Sequence, residues 1–139
     1  MDDKMRKPTS DELRLIEYLA NKADYDLSAD FREHIYVVPI PPILEGELTP
    51  LKIIFDNAPD DMKMNGSLVS DCQFLDSDNV PVAVFLLVND LGYIVELDSW
   101  KGDDSPILRI PPSECFMELG GEHSSVWRKI KQIVKRIIG

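Results

Sequence analysis

A run of nine almost wholly apolar residues, VPVAVFLLV at Val80–Val88, restricts the fold more than any other feature of the chain. Its length and its β-branched residues predict a strand that is covered on both of its faces. Turn sequences stand on either side, DSDN at residues 76–79 and NDLG at residues 89–92. They predict an antiparallel hairpin or meander in which this strand pairs with strands at residues 68–75 and 93–98.

Two further segments have the composition of strands. The sequence IYVVPIPP, which begins at Ile35, is β-branched and aromatic, but its prolines restrict it to a short edge strand or an extended connection. Residues 51–55 predict another strand, which the turn-rich acidic sequence NAPDDMKMNGS follows. A short strand is also expected at residues 107–110, within a long loop that contains several prolines.

Amphipathic helices are predicted near both ends of the chain. Thr9 and Glu12 form a capping-box pattern, and apolar residues then recur at helical spacing, so a helix is expected from Ser10 to about Ala23. Residues 124–138 give the clearest helix pattern in the chain, because their apolar residues recur at steps of three and four. These apolar residues are Val126, Trp127, Ile130, Ile133, Val134, Ile137 and Ile138.

The chain has 139 residues, which is the usual length of one domain. Together with the predicted elements, this length predicts a single α+β domain that spans residues 1–139. Its central sheet is expected to be mainly antiparallel, with about four to six strands packed with the N-terminal and the C-terminal amphipathic helix. The sequence has neither a signal-peptide pattern nor an apolar stretch long enough to span a membrane, which predicts a cytoplasmic protein. Cys72 and Cys115 lack any metal-ligand spacing and are expected to be reduced, core-packed thiols.

The charge of the chain limits its partners. The formal net charge is −10, from 25 acidic and 15 basic residues. Such a field repels phosphate backbones and attracts basic partners, so we expect binding of a protein, and neither nucleic acid nor a membrane. The charge is uneven, because residues 123–139 hold five basic residues and no acidic one.

Catalytic and metal-binding patterns are absent from the sequence, and we predict no catalytic residue, no metal site and no cofactor. The two histidines, His34 and His123, stand in no nucleophile motif, and solvated or capping roles are expected for both. The DSDN sequence has carboxylates at alternate positions as a calcium loop has. However, Val80 and Pro81 stand where such a loop needs an oxygen ligand and a glycine, so a plain β-turn is favoured.

Acidic residues in two loops are the candidate partner-binding residues. Paired carboxylates are expected by chance in a chain with 25 acidic residues, so we interpret them as an electrostatic surface, not as acid–base groups. Such clusters would speed the association of a basic partner and match its charge. The candidates are Asp56, Asp60, Asp61, Asp103 and Asp104.

Two motifs carry a family resemblance. The first is GSL at Gly66, Ser67 and Leu68, and the second is ELDSWK, which holds Glu96, Leu97, Asp98, Trp100 and Lys101. Together they resemble a family of small bacterial proteins with a glycine-serine-leucine element and a later ELD-x-WK segment. Members of this family look like immunity proteins of polymorphic toxin systems, including those of contact-dependent growth inhibition.

The resemblance implies inhibition by binding. The expected partner is a cognate toxin domain, a basic nuclease, whose active site or substrate surface is covered. The motif residues themselves favour a structural role: Trp100 is expected to close the core at the end of a strand, and Lys101 to pair with an acid. Two alternatives stay open. One is a hydrolase that uses His34 or His123, and the other is a small-ligand module, or one in which Lys131 and Lys135 bind an anionic surface.

Overall fold

The computed structural model describes residues 5–41 and 46–119. The elements within them, in chain order, are α1 (Ser10–Lys22), α2 (Phe31–His34), β1 (Ile35–Pro39), β2 (Leu51–Phe55), β3 (Ser67–Leu75), β4 (Pro81–Val88), β5 (Ile94–Lys101) and a 3-10 turn (Ser113–Cys115). The α+β class is confirmed. The predicted C-terminal helix at residues 124–138, together with His123, Lys131 and Lys135, lies outside the described residues.

Within residues 5–41 and 46–119, the sheet has five antiparallel strands in the order β1-β2-β5-β4-β3. Strands β3, β4 and β5 form the meander that the turn sequences predict, and β1 and β2 form a separate hairpin. Two residue pairs, Leu51 with Leu97 and Lys52 with Glu96, join the hairpin to the meander. Strand β5 extends beyond its predicted end at Asp98, because its last residues pair with the start of β4 as far as Lys101.

Helix α1 begins at the predicted capping box. The Thr9 hydroxyl accepts a hydrogen bond from the Glu12 N–H at 3.1 Å, and the Glu12 carboxylate accepts one from the Thr9 N–H at 2.8 Å. Glu12 is buried, and Arg6 donates two hydrogen bonds to its carboxylate at 2.8 and 2.9 Å. The cap therefore fixes both the start of the helix and the segment that leads into it.

Strand β4 is buried on both faces, as its apolar sequence predicts. The first face carries the main core, in which Val82, Val84 and Leu86 belong to the same cluster as buried residues of α1. The second face carries a smaller cluster, which consists of Ala83, Phe85, Leu87 and Val95. Its partly buried neighbours are Met62, Met64, Leu68, Trp100 and Leu119.

The two outer strands are partly covered by other segments. Strand β1 ends at Pro39, as expected for an edge strand, and Arg6 bridges to its Val37. At the other edge, Met117 bridges to Gln73 of β3. Residues 107–110 do not form the predicted strand. Ile107 makes only an isolated bridge, and the N–H groups of the next two residues donate to the buried carboxylate of Asp76 instead of to a neighbouring strand.

The two cysteines differ in their environments. Cys72 is buried in the main core, where burial raises the pKa of its thiol to about 12. Cys115 is exposed in the 3-10 turn, so the expectation that both are core-packed is wrong for this residue. Its apolar neighbour Phe116 belongs to the main core. Within the described residues, no helix has the length and apolar character needed to span a membrane.

Candidate functional site

The lysine of the ELDSWK motif is buried at the end of β5. Its side chain is 1% exposed, and its Nζ donates hydrogen bonds to Asp78 Oδ2 at 2.7 Å and to the Pro106 carbonyl at 3.0 Å. The same Nζ lies 2.8 Å from Asp76 Oδ2. Lys101 therefore pairs with two acids of the β3–β4 turn, which extends the prediction that it pairs with one.

Asp76 is the centre of this cluster. Its carboxylate accepts hydrogen bonds from the N–H groups of Ser77 (2.7 Å), Leu108 (2.7 Å) and Arg109 (3.0 Å), in addition to its contact with Lys101. Burial alone would raise the pKa of Asp76, but Lys101 and these N–H groups outweigh it, so the pKa lies below its ordinary value. The cluster ties the β3–β4 turn, the end of β5 and the loop after it into one unit.

The DSDN segment is a turn, as the sequence favours. The Asp76 N–H donates to the Val80 carbonyl at 3.0 Å, and Asn79 adopts a positive φ of 65°. Because the Asp76 carboxylate already accepts from a lysine and three backbone groups, it is engaged in holding the fold.

The GSL motif also has a structural explanation. A Cβ at Gly66 would lie 2.7 Å from Val95 Cγ2 and 2.9 Å from the Val88 carbonyl oxygen. Glycine is needed there because the chain passes directly over the β4–β5 connection. Ser67 begins β3 and is exposed, whereas Leu68 packs on the second-face cluster.

We expect the substitution Gly66→Ala to lower the free energy of unfolding by about 1–3 kcal/mol, since backbone and a buried valine would have to move. Gly102→Ala is the matched control, because a Cβ there meets nothing closer than 3.5 Å. Urea unfolding of both variants measures the difference. Equal stability of the two variants would contradict the close approach at Gly66.

A cleft of about 500 Å³ lies beside the end of β5. It forms because β2 pairs with β5 only at Leu97 and Glu96, after which the chain before β2 diverges from β5. One wall carries Glu96, Asp98 and Trp100, which alternate with Leu97 as predicted. The other wall is apolar and includes Ile40, Leu48, Pro50 and Ile107. Ser99 also lines the cleft, and its buried hydroxyl has no hydrogen-bond partner among the described residues.

The acidic loop at residues 103–104 borders this cleft and is held in place locally. Trp100 Nε1 donates to Asp104 Oδ1 at 2.7 Å, and Asp104 adopts a φ of 61°. The Asp103 carboxylate accepts from the Ser105 hydroxyl at 2.6 Å and from its N–H at 3.1 Å, and these bonds lower the pKa of Asp103. The loop therefore presents its two carboxylates in a fixed geometry.

The second predicted acidic loop lies at the opposite end of β5. Phe55 at the end of β2 packs near Tyr93, just before β5 begins, with ring centroids 6.1 Å apart. Asp56 therefore follows at that end, with Asp60 and Asp61 exposed in the loop after it. At about 3.3 Å per residue along β5, the two loops are roughly 23 Å apart. The five predicted aspartates consequently form two separate clusters, not one compact site.

His34 lies between carboxylates. Its Nδ1 is 2.6 Å from Asp56 Oδ1 and its Nε2 is 3.4 Å from Asp30 Oδ2. The hydrogen bond to Asp56 is the main reason why the pKa of His34 is raised, so the imidazole favours its charged form. Among the described residues, neither ring nitrogen bonds a hydroxyl or a thiol that it could activate as a nucleophile.

Asp76, Asp78 and the apolar wall of the cleft are the site residues that sequence reasoning missed. The signal for the two acids was the lysine itself, since a lysine that is buried at the end of a strand requires a carboxylate nearby. No comparable signal marked the cleft wall, because its residues come from distant segments.

The motifs and the cleft fall within a region of family similarity. The model of a domain of unknown function, DUF6984, matches residues 5–111, which include both motifs and all the strands that the structure describes. No curated protein and no solved structure matches the chain. Since the match covers well over half of the 139 residues, the chain belongs to the DUF6984 family.

Proposed function

We propose that this protein is an immunity protein that binds and neutralises a basic bacterial toxin domain, a nuclease, by covering its active site or substrate surface. The observation that carries the proposal is the cleft at the end of β5, where an indole and several carboxylates converge. The resemblance of the GSL and ELDSWK motifs to immunity proteins supports the same function.

The chemistry of the cleft suits an arginine or lysine side chain of a partner. Trp100 offers an aromatic surface for a cation, and Glu96, Asp98 and Asp104 line the same space. The apolar wall would take the aliphatic part of such a side chain. The buried Ser99 hydroxyl offers one further hydrogen bond. A basic residue inserted here would act as a central anchor of the interface.

The rigidity of the site also favours binding. Lys101 fixes the end of β5 to the β3–β4 turn, and the bonds to Asp103 and Asp104 hold the loop before any partner arrives. A preorganised loop loses little conformational entropy on binding, so more of the interaction energy appears as affinity. The loop at residues 103–104 is therefore ordered before a partner binds.

One partner can reach both acidic loops. Met62 and Met64 of the acidic loop after β2 pack on the same sheet face as Trp100, so both loops border that face. An interface of ordinary size covers about 800 Å² on each partner and is about 30 Å across, which exceeds the separation of the loops. We therefore include Asp56, Asp60 and Asp61 in the surface as a peripheral acidic rim.

The test is a titration of the protein against the C-terminal domain of the protein that the gene immediately upstream encodes, followed by stopped-flow measurement of association at low salt. Neutralising Asp60, Asp61, Asp103 and Asp104 to asparagine keeps their hydrogen-bond acceptors and removes four charges. We expect the association rate to fall about tenfold or more. Neutralisation of Asp24, Asp26, Glu33 and Glu114, which are also exposed, is the matched control and should change the rate far less.

Two outcomes would overturn the proposal or part of it. Absence of binding, together with absence of growth rescue on co-expression, would remove the immunity function. Tight binding with equal rates for the two sets of variants would keep the function and place the contact surface elsewhere.

A further inference from the structure

A second cavity lies at the end of β5 that is opposite the acidic cleft. Its volume is about 390 Å³, and pockets that hold small molecules have volumes of roughly 300–1,000 Å³. The proposed toxin-binding surface uses none of its lining residues, so it is a separate candidate binding site. We call it the aromatic pocket, because its lining includes four aromatic residues and two acids: Tyr25, Phe31, Phe55, Tyr93, Asp26 and Asp30.

Backbone hydrogen bonds place the two tyrosines of the aromatic pocket. Asp24 follows the end of α1 with a φ of 54°, and the Tyr25 N–H then donates to the Ala20 carbonyl at 2.8 Å. This is the usual way in which a helix ends and the chain turns away from it. On the other side of the pocket, the Asn89 side chain accepts a hydrogen bond from the Tyr93 N–H at 2.9 Å. The positions from which both rings extend are therefore fixed by the fold.

Three of the aromatic rings lie close to one another. The ring centroids of Phe55 and Tyr93 are 6.1 Å apart and the ring planes are inclined at 57°, so the two rings form a corner and not a stack. Tyr25 lies near this corner, because burial, and to a lesser extent the neighbouring Tyr93, raises the pKa of its hydroxyl. All three rings are half-buried, so they offer a sheltered aromatic surface.

The mouth of the aromatic pocket is negatively charged. Asp26 and Asp30 are exposed, whereas Phe31 is only 8% exposed, so the acids lie nearer to solvent than the rings do. Among the described residues that line the pocket there is no basic side chain. His34 lies outside the lining with its Nε2 3.4 Å from Asp30, so it offsets part of that charge. The ion pairs among the described residues do not include Asp26.

We propose that the aromatic pocket binds a small quaternary ammonium ion as a free ligand. The methyl groups of the ion contact the rings of Tyr25, Phe55 and Tyr93, whose π-electrons attract a cation. The Asp26 carboxylate at the mouth balances its charge. Phe31 contributes only apolar surface, because Arg32 already lies over its ring, 5.9 Å from the centroid.

The chemistry of the aromatic pocket favours a quaternary over a primary ammonium ion. A primary ammonium has three N–H groups, which need hydrogen-bond acceptors that aromatic rings do not provide. A quaternary ammonium has no N–H group, so it enters an aromatic environment without leaving a donor unsatisfied. The inner aromatic surface and the outer carboxylate therefore match the two properties of such an ion, its apolar methyl groups and its charge.

The acids at the mouth also discriminate against ligands that carry a negative group. A phosphate beside the ammonium would approach Asp26 and Asp30 and be repelled by them. The headgroup of phosphatidylcholine has such a phosphate, although it carries the same ammonium. A free cation is therefore favoured over a lipid headgroup.

Titration of the unmutated protein with choline chloride, followed by the amide and aromatic chemical shifts, tests the proposal. We expect saturable binding with a Kd of about 1 mM, as is usual for so small a ligand. The largest shifts should be at residues 25–31, 55–57 and 91–93, which hold the lining of the pocket. Dimethylbutanol, the neutral carbon isostere of choline, should bind about fivefold more weakly or less, and so should phosphocholine.

Two variants separate the contributions of the ring and of the charge. Tyr93→Leu removes a ring and should weaken choline binding about fivefold or more. Asp26→Asn removes the charge and should weaken it about threefold, while binding of dimethylbutanol stays the same. Tyr36→Leu and Glu114→Gln make the same changes outside the aromatic pocket and are the matched controls, for which choline binding should not change.

Three outcomes would overturn the proposal. Equal binding of choline and dimethylbutanol would mean that the pocket does not recognise a charge. Shifts confined to residues 96–105 would place the cation in the acidic cleft instead. Phosphocholine binding as tight as that of choline would assign the pocket to a lipid headgroup. The shifts of the unmutated protein decide between these outcomes even if Tyr93→Leu fails to fold.

Discussion

Replacing Asp76 by alanine is expected to lower the free energy of unfolding by about 3–5 kcal/mol, because it leaves a lysine and several N–H groups without their buried acceptor. This corresponds to a fall in Tm of roughly 10–15 °C for a domain of this size. Asp78→Ala is the control. The Asp78 side chain is 37% exposed and contacts the same lysine, so its loss should cost about 1 kcal/mol or less.

The pH dependence of Asp76 supplies an independent check. Because the folded-state pKa lies below its ordinary value of 3.8, the stabilisation is essentially complete above about pH 5 and is lost as the pH falls through the folded-state pKa. The difference in stability between the unmutated protein and Asp76→Asn should therefore shrink below about pH 4. A difference that stays constant down to pH 2 would mean that the charge of Asp76 does not stabilise the fold.

Replacing Phe85 by alanine should be equally damaging, with a loss of about 3–5 kcal/mol in the free energy of unfolding. Phe85 is fully buried on the second face, so its removal loses apolar burial and leaves a cavity. Leu91→Ala is the comparison, because Leu91 is 60% exposed in the β4–β5 turn and its truncation should cost below about 0.5 kcal/mol. Guanidinium unfolding measures both. A loss below about 1 kcal/mol for Phe85→Ala would contradict a second packed layer.

Local patterns predicted the elements of this fold well. The capping box at Thr9 and Glu12 and the turns around residues 76–79 and 89–92 depend on neighbours within a few residues, and the unbroken apolar run of β4 indicates its burial on both faces. Propensity and periodicity report such contacts directly. The end of β5 was harder to predict from the sequence, because the polar residues Ser99 and Lys101 do not look like strand residues although the strand continues through them.

The strand order could not be predicted from the sequence. Strand β2 pairs with β5 instead of its sequence neighbour β3, and no local pattern encodes that choice. The distance between the two acidic loops follows from this strand order. The sequence could therefore assign Asp60 and Asp61 to one loop and Asp103 and Asp104 to another, but it could not predict how far apart the two loops lie. The burial of Asp76 depends in the same way on the loop at residues 106–109 folding back over the turn.

The narrow junction between β2 and β5 has a consequence for the order of folding. The meander of β3, β4 and β5 closes through short turns, whereas residues 51 and 97 must meet across a long stretch of chain. Loop-closure entropy therefore favours a nucleus in the meander, onto which the β1–β2 hairpin docks late. Since the cleft lies at this junction, the proposed partner-binding surface is completed only in that last step, and partial opening of the hairpin would dismantle it while the meander stays folded.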